Sequence, residues 1–194
     1  MRGETHLLTG VATHLTVASL VPYPYGVISV GAVIAAITGA LLPDIDHPGS
    51  AISRAIDPVS RGSRLIRLLL GVALLLLSFF FKLSSFFWFV GVVLVVLAVL
   101  PHRGITHSLL GCLLMSGAVL FFSGTSFAIP FFIGYASHLV LDLVSGGIPL
   151  WYPFKESRLS YFLGKTGGVA DRVICGASLL VCVYIFQATY LAWF

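Results

Sequence analysis

Few residues in this chain can do acid–base or metal chemistry, and they are unevenly placed. Besides tyrosines and cysteines there are six histidines and seven carboxylates in 194 residues. Three of them fall within four positions in Pro43-Asp44-Ile45-Asp46-His47-Pro48, which reads as a proline-broken helix end. Such a turn points carboxylate and imidazole groups at one ion or at two neighbouring ions. His138 and Asp142 are spaced i, i+4, which puts both on one face of a helix about one turn apart. His102-Arg103-Gly104-Ile105-Thr106-His107 frames a short turn in which Gly104 permits close backbone approach. His6 opens one expected helix and Asp171 another. Imidazole and carboxylate without thiolate suit zinc, manganese or iron.

Each residue alone also has a plainer reading. A helix-end aspartate is often a cap. His14, two turns inside the first segment, reads as a polar group at the lipid headgroups. Asp57 and Glu156 read as loop carboxylates balancing nearby basic residues. Cys112, Cys175 and Cys182 lie in apolar stretches without a CxxC spacing, as small buried or lipid-facing residues do. The chain has no HExxH, no GxSxG elbow and no P-loop, so Ser145-Gly146-Gly147 and Gly167-Gly168 read as flexible turns. The cluster as a whole is harder to dismiss than any member, because ionisable groups at membrane depth are expensive and default to function.

The elements that must position these groups are membrane spans. Hydrophobic residues make up 58% of the chain, charged residues only 9%, and the mean hydropathy is +1.04. A soluble domain carries about a quarter charged residues, so the expected fold is all-α, a polytopic membrane helix bundle in a single domain over 1–194. Apolar blocks between Pro, Gly and Lys breaks predict seven helical segments: 6–21, 27–42, 65–81, 86–100, 108–122, 126–144 and 172–194. Several are shorter than a full span, so six or seven crossings are expected, with Pro130 kinking the sixth segment. His14 interrupts the first apolar stretch and no good cleavage site follows, so a removable secretory leader is not expected.

Ten of the eleven basic residues fall on one side of that alternating topology, and only Lys82 on the other. The positive-inside rule makes the basic side cytoplasmic. Every candidate ligand then lies at or near the cytoplasmic end of a helix, drawn from five different helix ends. The net charge of +4 reads as orientation and headgroup contact, and no nucleic-acid partner is expected.

At PDIDHP, HRGITHS and GYASHLVLDLVSGGIPLWYP the chain resembles the LexA-regulated, inner-membrane-associated metal-dependent hydrolases of bacteria. The resemblance runs from Thr5-His6-Leu7-Leu8 to about Asp171. That family is in turn distantly similar to the zinc-dependent phospholipase C and single-strand nuclease superfamily. It implies His6, Asp44, Asp46, His47, His107, His138 and Asp142 as ligands. His102 would be a ligand or a partner behind one, and Asp171 stands where an acidic residue is expected. The soluble enzymes also use their mature N-terminal residue as a ligand, where this chain has Met1-Arg2-Gly3. Two or three zinc ions are implied, with manganese or iron as alternatives.

The expected activity is hydrolysis of a phosphoester in a membrane lipid or lipid-linked molecule. Asp44 or Asp46 would take a proton from the attacking water, and Arg103 would clamp a phosphate oxygen. A metal or proton transporter and a catalytically silent scaffold with a structural metal are the competing readings.

Overall fold

The computed structural model describes residues 1–21, 28–46, 64–99, 104–161 and 164–191; for Ile45, Asp46, Tyr190 and Leu191 it describes the backbone alone. Among the described residues it holds seven α-helices: α1 (Gly3–Leu20), α2 (Val30–Leu41), α3 (Arg64–Phe80), α4 (Ser85–Val99), α5 (Leu109–Ser123), α6 (Thr125–Ser145) and α7 (Val169–Leu191). Two 3-10 turns, Leu42–Asp46 and Ile105–His107, follow α2 and precede α5. Each helix overlaps one of the seven apolar segments of the sequence, and α6 continues through Pro130 as one helix.

Local chemistry explains the boundaries. Ser29 caps α2 by accepting from the Ala32 amide at 3.1 Å, and Ser108 caps α5 by accepting from the Gly111 amide at 3.0 Å. Gly124, at φ +77°, separates α5 from α6. The α4 sequence SFFWFVGVVLVVLAV is rich in β-branched and aromatic residues that favour strands in water. In lipid a helix satisfies its own backbone groups, and this overrides side-chain propensity.

The chain forms two compact units, one made of Met1–Pro43 with Ile105–Phe194 and the other of Asp44–Gly104. In the first, α1 packs on α2, α6 and α7, while α6 also packs on α2 and α5. Its core is built on Ala35, Cys112, Phe131, Tyr135, Leu139 and Ile148. The backbones of α2 and α6 are nearly in contact. A Cβ at Gly134 would stand 2.0 Å from the Ala36 carbonyl oxygen, and one at Gly39 would stand 2.1 Å from that of Phe131. The second unit contains the α3–α4 hairpin.

Among the described residues, two helices are long and apolar enough to cross a membrane, over Thr125–Ser145 and Val169–Thr189. The apolar stretches Val30–Asp44, Ser85–Val99 and Leu109–Ser123 are shorter. Only 17% of the most apolar window of α7 is buried. Val173, Leu180, Tyr184 and Phe186 all stand exposed on it. The core helix of a soluble protein would not leave such a face bare.

Candidate metal centre

The i, i+4 pair on α6 is the base of the site. His138 is fully buried and Asp142 nearly so. His138 Nδ1 lies 2.7 Å from the Ala40 carbonyl oxygen, 98 residues earlier in the chain. A carbonyl only accepts, so Nδ1 carries the proton, and Nε2 of the neutral ring presents its lone pair. That nitrogen faces His107 Nε2 at 3.4 Å and Asp142 Oδ2 at 3.6 Å. His107 Nε2 lies 3.5 Å from the same carboxylate oxygen.

His107 is delivered by the Ile105–His107 turn. Ser108 ends that turn and starts α5, and its hydroxyl also donates to the Ile105 carbonyl at 2.7 Å. Gly111 lets the turn fold over the first coil of α5, since a Cβ there would lie 2.0 Å from the Ile105 oxygen. His107 Nδ1 is 3.1 Å from the Thr106 hydroxyl, and the Tyr135 hydroxyl donates to the Thr106 carbonyl at 2.7 Å. Each imidazole is thus held from behind, as metal-ligating histidines usually are. Asp44, next to Pro43 on the turn that continues α2, completes the donor set. One ligand atom from each of Asp44, His107, His138 and Asp142 lies within 4.8 Å of the others.

This arrangement fits a cation on two counts. Ligand atoms around a tetrahedral zinc with bonds of about 2.0–2.1 Å stand roughly 3.3–3.4 Å apart. The His107, His138 and Asp142 contacts of 3.4, 3.5 and 3.6 Å are close to that spacing. Electron-rich atoms turned on one another out of reach of water also need a positive charge among them, whether proton or metal.

The other oxygen of Asp142 has its own set of neighbours. Oδ1 lies 3.2 Å from His6 Nε2 and accepts from the Met1 α-amino group at 3.0 Å, which also donates to the Ser145 hydroxyl at 3.3 Å. The His6 ring stacks on that of His138 with centroids 3.9 Å apart. Both His6 ring nitrogens are buried, and neither makes an aligned hydrogen bond among the described residues; the 3.2 Å approach to Asp142 is close but off-line. His6 Nε2 is therefore a further ligand-type nitrogen beside the same carboxylate, with no hydrogen bond of its own among the described residues.

Asp171 sits apart from this group. It is fully buried and accepts from the Thr5 hydroxyl at 2.6 Å, the Gly167 amide at 2.6 Å and the Arg2 amide at 3.3 Å, with Arg2 Nε at 3.4 Å. Protein donors occupy both its oxygens, and it ties the start of α1 to the start of α7. His14 is enclosed on α1, where the headgroup reading expects it exposed. Asp46 is placed on the 3-10 turn by its backbone only, while His47, His102 and Arg103 lie outside the described residues.

The sequence gives no supporting role to Thr5, Thr106, Tyr135, Ser145 or the Met1 amine. A hydroxyl residue directly before His6 and before His107 is the one signal the sequence carried for two of them.

Apolar helices with bare outer faces, carrying a His/Asp donor cluster, define a membrane-protein class with a possible metal site. Comparison with known proteins agrees on the membrane. The chain belongs to the YdjM inner membrane protein family, whose model matches residues 1–194. It is 31% identical over 197 residues to the uncharacterized protein YvsG of Bacillus subtilis (strain 168), covering 96% of each chain. It is 26% identical to the inner membrane protein YdjM of Escherichia coli (strain K12), covering 95% of this chain and 83% of that one. A protein of the same name from Shigella flexneri matches equally. No solved structure matches the chain.

Proposed function

We propose that the chain is a multi-pass, metal-dependent hydrolase of the bacterial inner membrane that cleaves a phosphoester in a lipid or lipid-linked molecule on the cytoplasmic side. The observation that carries this reading is the buried facing of His107 Nε2, His138 Nε2 and Asp142 Oδ2 at 3.4–3.6 Å. Asp44, His107, His138 and Asp142 would hold a first divalent ion. His6 Nε2 and Asp142 Oδ1 would contribute to a second. Zinc, manganese or iron, when bound, lowers the pKa of a water and polarises a phosphoester.

The remaining work falls to the chain. Asp44 or Asp46, on the turn after α2, takes the proton of the attacking water. Arg103, four residues before His107, holds a phosphate oxygen through its guanidinium fork. Ala40, Thr106 and Tyr135 fix the rings, so that the donors need no rearrangement when charge develops.

The test is turnover of phosphoester lipids by purified protein loaded with each metal in turn, beside Asp46→Ala and His138→Ala variants. Loss of turnover in both variants, with loss of metal in His138→Ala, is expected. Undiminished metal content and turnover in both would reject the site. One observation favours a metal or proton transporter, namely the burial of His14 two turns along α1 from His6, about 12 Å deeper. Metal or proton flux in proteoliposomes without hydrolysis would select that reading.

A further inference from the structure

The segment between α6 and α7 is a built loop with a surface the centre does not use. Ile148 and Leu159 pair in both directions, each amide donating to the other's carbonyl at 3.0 Å. The Tyr161 amide donates to the Leu143 carbonyl at 3.0 Å, and the Leu109 amide to the Leu150 carbonyl at 2.9 Å. Ile148 is fully buried in the core. The loop is thus held against the end of α6 and against the first residue of α5, two positions after His107.

From this frame it turns three large aromatics outward: Trp151 is 51% exposed, Phe154 87% and Tyr161 69%. Lys155, Arg158 and Lys165 are exposed beside them, with Glu156 as the one exposed carboxylate in 146–168. In bulk water this apolar surface would be a liability. Its level in the membrane makes it favourable. The 21 residues of α6 rise about 31 Å, close to the ~30 Å of a bilayer's hydrocarbon core. Residues tied to its last turn therefore stand where headgroups begin, the level at which aromatic rings and basic side chains are stabilised together.

We infer that the loop Gly146–Tyr161 is a docking surface for anionic phospholipid headgroups, with Trp151, Phe154 and Tyr161 set among the glycerol and upper acyl groups and Lys155 and Arg158 on the phosphates. This surface stands whether or not the centre hydrolyses lipid. Charge complementarity selects the occupant, since two exposed basic groups against one carboxylate in Gly146–Tyr161 favour an anionic leaflet over a zwitterionic one or a second copy of this basic chain.

The full chain, with Trp88→Phe and Trp193→Phe so that Trp151 alone emits, is placed in phosphatidylcholine nanodiscs. Each disc contains a small, equal fraction of either brominated phosphatidylglycerol or brominated phosphatidylcholine. Quenching of Trp151 by both lipids, several-fold stronger for phosphatidylglycerol, is expected. Lys155→Gln with Arg158→Gln should bring that several-fold preference down to equal quenching by the two lipids. Both residues are exposed, so the fold is not at risk. Equal quenching by the two lipids overturns the inference, as does a preference that survives the double substitution. Quenching by aqueous iodide alone overturns it too, and so does shielding from both quenchers, as a protein partner would give.

Discussion

Replacing Gly134 with alanine should weaken metal binding without altering any ligand. The added Cβ would stand 2.0 Å from the Ala36 carbonyl oxygen, so α2 and α6 must part by on the order of 1 Å to reach ordinary contact. Ala40 lies one turn beyond Ala36, and His138 one turn beyond Gly134. The same parting stretches the 2.7 Å bond between His138 Nδ1 and the Ala40 carbonyl to about 3.7 Å, outside hydrogen-bond range. Overpacking costs about 1–3 kcal/mol, and leaving the buried pair unmet costs a further ~1–3 kcal/mol. Loss of the group behind a ligating imidazole lowers metal affinity roughly 10- to 100-fold. Thermal unfolding in detergent and competition with a chromogenic chelator measure the two effects. Gly117→Ala on α5, where nothing lies within 4 Å of the new methyl, should leave both unchanged or raise stability slightly. A folded Gly134→Ala protein with parental metal affinity would refute the coupling of helix spacing to the centre.

Two further substitutions separate the centre from its surroundings. Thr106→Val removes the hydroxyl 3.1 Å from His107 Nδ1 and should lower metal affinity roughly 10- to 100-fold while costing about 1–3 kcal/mol for the buried bond lost; chelator competition and thermal unfolding read the two. Thr5→Val removes the 2.6 Å donor to Asp171 and should cost about 1.5–3 kcal/mol, as expected for a bond to a charged acceptor. The midpoint should fall while metal content stays at the parental level; loss of metal at an unchanged midpoint would return Asp171 to the ligand set.

The helices were legible because their signal is local. Apolar runs between Pro, Gly and Lys breaks locate seven segments, and α3 and α6 begin and end within a residue of expectation. The His138–Asp142 pair was legible for the same reason, since helical spacing alone puts both on one face. Other features depend on contacts across long stretches of chain. No pattern around His138 points to the carbonyl of Ala40, and nothing near Asp171 announces Thr5, 166 residues away. Asp171 has the same residue type and helix-end position as a ligand, and the Thr5, Gly167 and Arg2 donors that surround it carry no local sequence signal. Ser145-Gly146-Gly147 resembles a flexible turn because the Ile148–Leu159 pairing that orders the loop joins residues with no mutual sequence signal. The PDIDHP motif is carried into the structure by Asp44, on a 3-10 turn rather than a plain helix end.

The most direct measurement is the metal content of the purified protein by mass spectrometry, beside Asp142→Asn. Asp142 is the residue whose two oxygens face both donor groups, His107 and His138 on one side and His6 on the other. The account predicts that the parent carries a tightly held divalent transition metal in stoichiometric amount, and that the folded Asp142→Asn protein loses it. A parent that takes up no such metal when offered zinc, manganese or iron, or an Asp142→Asn protein that retains it in full, would contradict the central claim.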